Sequence, residues 1–210
     1  MTSPADNTES LFTPDGGLRA ELLGDGAAAV LQEAARQAEQ TNWDAIRTPH
    51  IFMGLLAAAD DAIRNWGERI QADLPKLLEQ FRALFRQQEA ERRSLAGFTR
   101  ACVSEQVVDL LGEARRRAAG RGRTSLTPID LLIGVLTTKT IVAECFERIG
   151  IPAARLIEAA NLAEQEAGNA PQQAEPQRAG RTRARHLLIA FAIASALLAG
   201  LVWYYLANPP

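Results

Sequence analysis

Ile51-Phe52-Met53-Gly54-Leu55-Leu56 returns 80 residues later as Leu131-Leu132-Ile133-Gly134-Val135-Leu136, and this recurrence decides the fold. The stretch before it repeats at the same offset, Leu31-Gln32-Glu33-Ala34-Ala35-Arg36-Gln37-Ala38 becoming Leu111-Gly112-Glu113-Ala114-Arg115-Arg116-Arg117-Ala118. After a slip of one residue, Glu68-Arg69-Ile70 reappears as Glu147-Arg148-Ile149, and Lys76-Leu77-Leu78-Glu79 as Arg155-Leu156-Ile157-Glu158. A register held through several blocks marks a duplicated structural unit. Two copies make a paired-repeat domain rather than a long solenoid.

The apolar spacing inside each copy is helical. Ala27, Val30, Leu31, Ala34 and Ala38 form one stripe, and Val103, Val107, Leu110, Leu111 and Ala114 its counterpart, at the i, i+3, i+4 spacing that gives a helix one buried face. Thr48-Pro49 and Thr127-Pro128 read as helix starts, a hydroxyl capping the free N–H groups and proline opening the first turn. Gly54 and Gly134 fall inside helices at matched positions. Since glycine there costs about 1 kcal/mol, their recurrence predicts close helix–helix approach. Asp73-Leu74-Pro75 and Ile151-Pro152 open the last helix of each copy. Nothing alternates at period two long enough to argue a strand, so the fold class is all-α, with about four helices per copy.

Composition narrows the function classes. Between Arg19 and Glu158 there are 19 basic and 19 acidic residues, a balance that gives no reason for bulk nucleic-acid binding. Cys102 and Cys145 are the only cysteines. Two thiols in apolar helical contexts, with no histidine beside them, make neither a zinc site nor a disulfide framework and read as buried core thiols in a reducing compartment.

The C-terminal end is of another kind. Residues 187–206 are twenty without a charge, which as a helix cover roughly 30 Å, the thickness of a hydrocarbon core. Trp203, Tyr204 and Tyr205 lie at the far end, where amphipathic rings favour the interface. Arg178, Arg181, Arg183 and Arg185 crowd the near end, which places the large domain in the cytosol. The reading is a single-pass, C-terminally anchored protein that contacts lipid through this helix. Ala192, Ala196 and Gly200 share one helix face small enough for another backbone to approach, which makes them a candidate pairing face for a homodimer. The full division is a polar leader at 1–19, the repeat domain at 20–163 (copies at about 20–82 and 98–162), a disordered tether at 164–186, the transmembrane helix at 187–206 and a short tail at 207–210. The tether holds almost no large apolar residue and cannot offset chain entropy by burial.

With these residues in view, the soluble part resembles the Clp N-terminal repeat, which occurs twice in the compact helical N-domain of Clp ATPases. Thr48-Pro49-His50-Ile51-Phe52-Met53-Gly54-Leu55-Leu56 is similar to the family's Thr-Glu-His-Leu-Leu-Leu-Gly-Leu-Leu, with Pro49 in place of the glutamate. The second copy, Pro128 to Leu136, keeps the apolar frame and glycine but has Asp130 in place of the histidine. Phe98-Thr99-Arg100 resembles the family's Phe-Thr-Pro opening; in the first copy both Phe12-Thr13-Pro14 and Leu23-Gly24-Asp25 could play that part. The resemblance spans about residues 20–162. It implies grooves that receive adaptors, clients or degradation tags, and it carries Thr48 over as a partner-binding residue. Clp ATPases continue into nucleotide-binding modules; this chain continues into a tether and a membrane span. Gly134-Val135-Leu136-Thr137-Thr138-Lys139-Thr140 lacks the glycine before the lysine and is no phosphate loop.

The remaining candidates have plain readings. His50 has no second ligand or nucleophile nearby and reads as packing or hydrogen bonding at a helix start. Asp60-Asp61 reads as a solvated turn. Arg115, Arg116, Arg117, Arg121 and Arg123 put five positive charges into nine residues, more than a helix C-terminus needs; a solvated face and a surface for an acidic partner both remain open. No nucleophile–base pair, cofactor motif or metal cluster appears. The expectation is therefore a membrane-tethered, non-enzymatic module that binds protein clients or adaptors of Clp-type quality control, with a Clp ATPase among the candidate partners. The alternative is a structural or signalling membrane protein that uses the repeat for local assembly.

Overall fold

The computed structural model describes residues 11–87, 95 and 97–169. Eight α-helices are present among them and no strand: α1 (Asp25–Gln40), α2 (Thr48–Ala57), α3 (Asp61–Arg69), α4 (Leu74–Phe85), α5 (Glu105–Gly120), α6 (Pro128–Thr137), α7 (Ile141–Arg148) and α8 (Ala153–Asn169). Short 3-10 turns, Ala20–Leu22 and Arg100–Cys102, precede α1 and α5. Each copy thus has four helices in the same order.

Most starts follow from capping chemistry. Asp60 Oδ1 accepts from the Ile63 N–H at 2.9 Å, Asp73 Oδ1 from Lys76 at 3.1 Å and Thr140 Oγ1 from Ala143 at 3.2 Å, each satisfying a donor the first turn leaves free. Asp60-Asp61 is accordingly a cap and a first helical residue, not merely a solvated turn. Thr127 caps α6 with proline at the first helical position, as expected. The matching start in copy one is shifted by a residue. Arg47 is the N-cap and Thr48 already lies inside α2, because the His50 ring supplies the acceptor: its Nδ1 takes the Arg47 N–H at 2.9 Å.

The two glycines do mark close crossings. A Cβ on Gly54 would stand 2.5 Å from the Val30 carbonyl oxygen and 2.9 Å from the Ala34 nitrogen, both backbone atoms of α1. On Gly134 it would meet the Leu110 carbonyl oxygen of α5 at 3.1 Å. Copy one is the tighter of the two.

A pseudo-twofold relation joins the copies. The Leu126 N–H donates to the Leu22 carbonyl and Gly24 to Leu126; 80 residues away on each side, Ile46 donates to the Cys102 carbonyl and Ser104 to Ile46. The loop between the first two helices of each copy is thereby stitched to the entry of the other copy's first helix. The copies also exchange packing partners. The α3 helix lies along α8, with Trp66 Nε1 donating to the Leu156 carbonyl at 3.1 Å and Arg69 paired with Glu166. Phe52 of α2 contacts the rings of Trp66, Phe81 and Phe146, centroids 6.2, 4.8 and 5.8 Å apart, so α7 joins a cluster otherwise built by copy one. One core therefore runs through both copies.

Some boundaries differ from the sequence expectation. Leu11 and Phe12 are buried in the core, inside the stretch read as a polar leader. Helix α8 continues six residues past 163, where Glu164 and Glu166 find arginine partners across the domain. Cys102 and Cys145 are free and only partly buried, not the full burial expected. Among the described residues no helix is long and apolar enough to cross a membrane; the span at 187–206 and its face Ala192, Ala196 and Gly200 lie outside them.

Candidate partner-binding site

The arginine cluster divides in two. Arg115 and Arg116 lie on α5, the latter exposed and paired with Glu113 one turn back at 2.5 Å. Arg117, Arg121 and Arg123 turn toward α6 and α8. Arg117, at the end of α5, bonds Asp130, Glu164 and Asn161. Arg123 grips Asp130 through both terminal nitrogens, at 2.5 and 2.8 Å, and reaches Glu164 at 3.0 Å. Arg121 meets Glu164 at 2.6 Å. Three cations therefore share two carboxylates at the junction of three helices.

Asp130 is the hub and is fully buried. It is the third residue of α6 and also accepts from the Thr127 N–H at 2.9 Å, completing a reciprocal cap. Burial alone would raise its pKa, but the bonds from Arg123, Thr127 and Arg117 outweigh that and hold the carboxyl below the usual range. Burial likewise works against the charge on Arg117, and Glu164 and Asp130 more than restore it.

Copy one has the same wiring in other chemistry. Stepping back 80 residues along α5 and α6, and 79 along α8, turns Arg117 into Gln37, Arg123 into Trp43, Asp130 into His50, Asn161 into Arg82 and Glu164 into Phe85. The contacts are kept: Arg82 Nε donates to Gln37 Oε1 at 2.8 Å, Trp43 Nε1 to the Phe85 carbonyl at 2.6 Å, and the Trp43 and His50 rings meet edge-on at 5.6 Å. His50 is 1% exposed, with Nε2 3.3 Å from Thr41 Oγ1. Its Nδ1 accepts from Arg47, so the ring is neutral; burial, then the Arg47 charge, lowers its pKa to about 3. The first locus is aromatic and uncharged where the second is ionic. Thr48, beside it, is 1% exposed, so its hydroxyl does not line a surface that a partner could touch without rearrangement.

An open cleft of about 920 Å³ borders the ionic locus. Its walls come from the start of α1 (Gly24, Asp25, Gly26), Asp60 ahead of α3, Arg121 and Arg123, and the end of α8. Of the five arginines singled out in the sequence, these two reach it. Asp25, Asp60, Asp130 and Glu164 were not among the expected site residues. Thr127-Pro128-Ile129-Asp130 is legible as a capping box, but nothing in the sequence aims its carboxylate at Arg117, and Glu164 stood in a segment read as tether. Among the described residues no three His, Cys, Asp or Glu side chains gather as a metal site would need.

No family model and no curated protein sequence matches the chain. Solved structures do. The N-terminal domain of the caseinolytic protease associated chaperone ClpD from Arabidopsis thaliana superposes with a TM-score of 0.54 at 15% identity, covering 69% of this chain and 96% of that one. The Hsp104 N-terminal domain from Candida albicans gives 0.54 at 12% identity, covering 66% and 88%. The fold is thus similar to that of Clp-type N-terminal domains, over nearly the whole of each.

Proposed function

We propose that this chain is a non-enzymatic protein-binding module, held at a membrane by residues 187–206, that takes up clients or adaptors of Clp-type protein quality control. The observation that carries it is the likeness of its double repeat to the N-terminal domains of ClpD and Hsp104 over almost their full length. Two features support it: a cleft open to solvent on that domain, and an uncharged stretch after it with arginines on one side only. Binding alone, without a motor, is the part such a chain can perform.

Affinity capture with the fragment 1–169, which keeps Glu164 and Glu166, tests the first half. Clp subunits, their adaptors or tagged clients should be retained, and a uniform background would remove the reading. Topology is checked separately. In spheroplasts of a bacterial host, added protease should spare the domain, and its digestion there would reverse the orientation. Pairing through Ala192, Ala196 and Gly200 belongs to the same reading; Gly200→Ile should then weaken crosslinking between chains in membranes.

A further inference from the structure

The two walls of the cleft differ in how their charges are met. On one side Arg121 and Arg123 are already held by Glu164, and Arg123 also by Asp130. On the other, Asp25 has no hydrogen bond or ion pair among the described residues. Asp60 spends Oδ1 on capping α3, while Oδ2 is turned toward Gly26, 3.7 Å from where a Cβ would be. Both carboxylates stand at helix N-termini, which favour their ionised form. Counting the lining residues, three carboxylates face two arginines, so the uncompensated charge is negative and the cleft suits a cation.

A source of cations begins at its rim. Ala167 and Gly168, in the last turn of α8, line the cleft, and the next basic residues are Arg178, Arg181, Arg183 and Arg185, with no lysine among them. Arg178 follows Asn169 by nine positions, a length of chain that spans at most about 30 Å. Connections this short place a group at an effective concentration in the millimolar range. A contact with a Kd near 1 mM is then about half occupied, which asks only about 4 kcal/mol of it.

We propose that the 178–185 segment occupies this cleft in cis, an arginine guanidinium lying between Asp25 and Asp60. The chain thereby covers its own open surface, and a partner or an anionic lipid surface gains access by drawing the arginines away. The inference stands whether or not the cleft serves the protein-binding reading above.

The chain has two lysines, Lys76 and Lys139, so new amines are easy to follow. Full-length protein carrying Arg178→Lys and Arg181→Lys, purified in detergent, is treated with a carbodiimide that joins amines to touching carboxylates, and the products are mapped by mass spectrometry. Crosslinks within one chain to Asp25 or Asp60 are expected, with their loss when Asp25→Asn and Asp60→Asn are added. Asparagine caps a helix as well as aspartate, and an unchanged melting curve verifies that the fold survives. Crosslinks spread equally over Asp61 and Glu166, or none at all, would overturn the proposal. So would crosslinks that join light to heavy chains in an isotopic mixture, which would assign the cleft to a second copy.

Discussion

His50 and Gly54 are where single residues decide most. The native state holds His50 neutral, with a pKa of about 3 against an ordinary 6.5. Below pH 6.5 the unfolded chain binds a proton that the folded chain refuses, so this contribution is intact above 6.5 and is lost as pH falls toward 3. The slope is about 1.4 kcal/mol per pH unit. Asp15 and Asp130, the described carboxyls with a resolved shift, are lowered and stay ionised from pH 6.5 to 5. In that window urea midpoints should therefore drop for the wild type and stay flatter for His50→Gln; equal slopes would refute the assignment. Gly54→Ala forces a Cβ against α1 backbone that cannot step aside, and should destabilise by about 2 kcal/mol through overpacking. Gly134→Ala meets its nearest backbone atom at 3.1 Å, and the roughly 1 kcal/mol gain in helix propensity should leave it near neutral. Thermal melts of the pair give the difference directly.

Between elements, the ion network fixes how α5, α6 and α8 meet. Asp130→Asn leaves Arg117 and Arg123 with Glu164 as their remaining carboxylate, and removing one partner of a buried pair costs about 3 kcal/mol. Hydrogen exchange should then rise in peptides covering α8 beyond Asn161, while the equivalent end of α4, held by Trp43 and Arg82 through uncharged acceptors, should not respond. Equal loosening of both ends would show that the network is not a local clamp. The helices themselves were legible in sequence, because spacing and caps act within a few residues: the α4 and α8 starts follow from Asp73-Leu74-Pro75 and Ile151-Pro152, and Gly54 announced its crossing. The clamp was not legible. It depends on residues 34 and 47 positions apart, Asp130 to Glu164 and Arg117 to Glu164, and local composition made Glu164 look like the start of a tether. A run of arginines reads alike whether it faces solvent or a buried aspartate.

At the scale of the whole molecule, the duplication has not produced two independent halves. A copy cut out alone would lose half of its interface: without α8, Trp66 of α3 has no carbonyl for its indole N–H, and without copy one, α7 has no aromatic cluster for Phe146. The backbone stitches at Leu126 and Ile46 also run between copies, and each unmade buried hydrogen bond costs about 1–3 kcal/mol. Against a total stability of about 5–15 kcal/mol for a domain, losing several of these together with the shared core is decisive. Fragments 1–97 and 98–169 should therefore each give weak, non-cooperative melting when expressed separately. Mixed at equal concentration, they should recover helical content and a cooperative transition that moves upward with concentration, as association linked to folding requires. If either fragment melted cooperatively alone, at a midpoint independent of its concentration, the copies would be separate domains that merely touch.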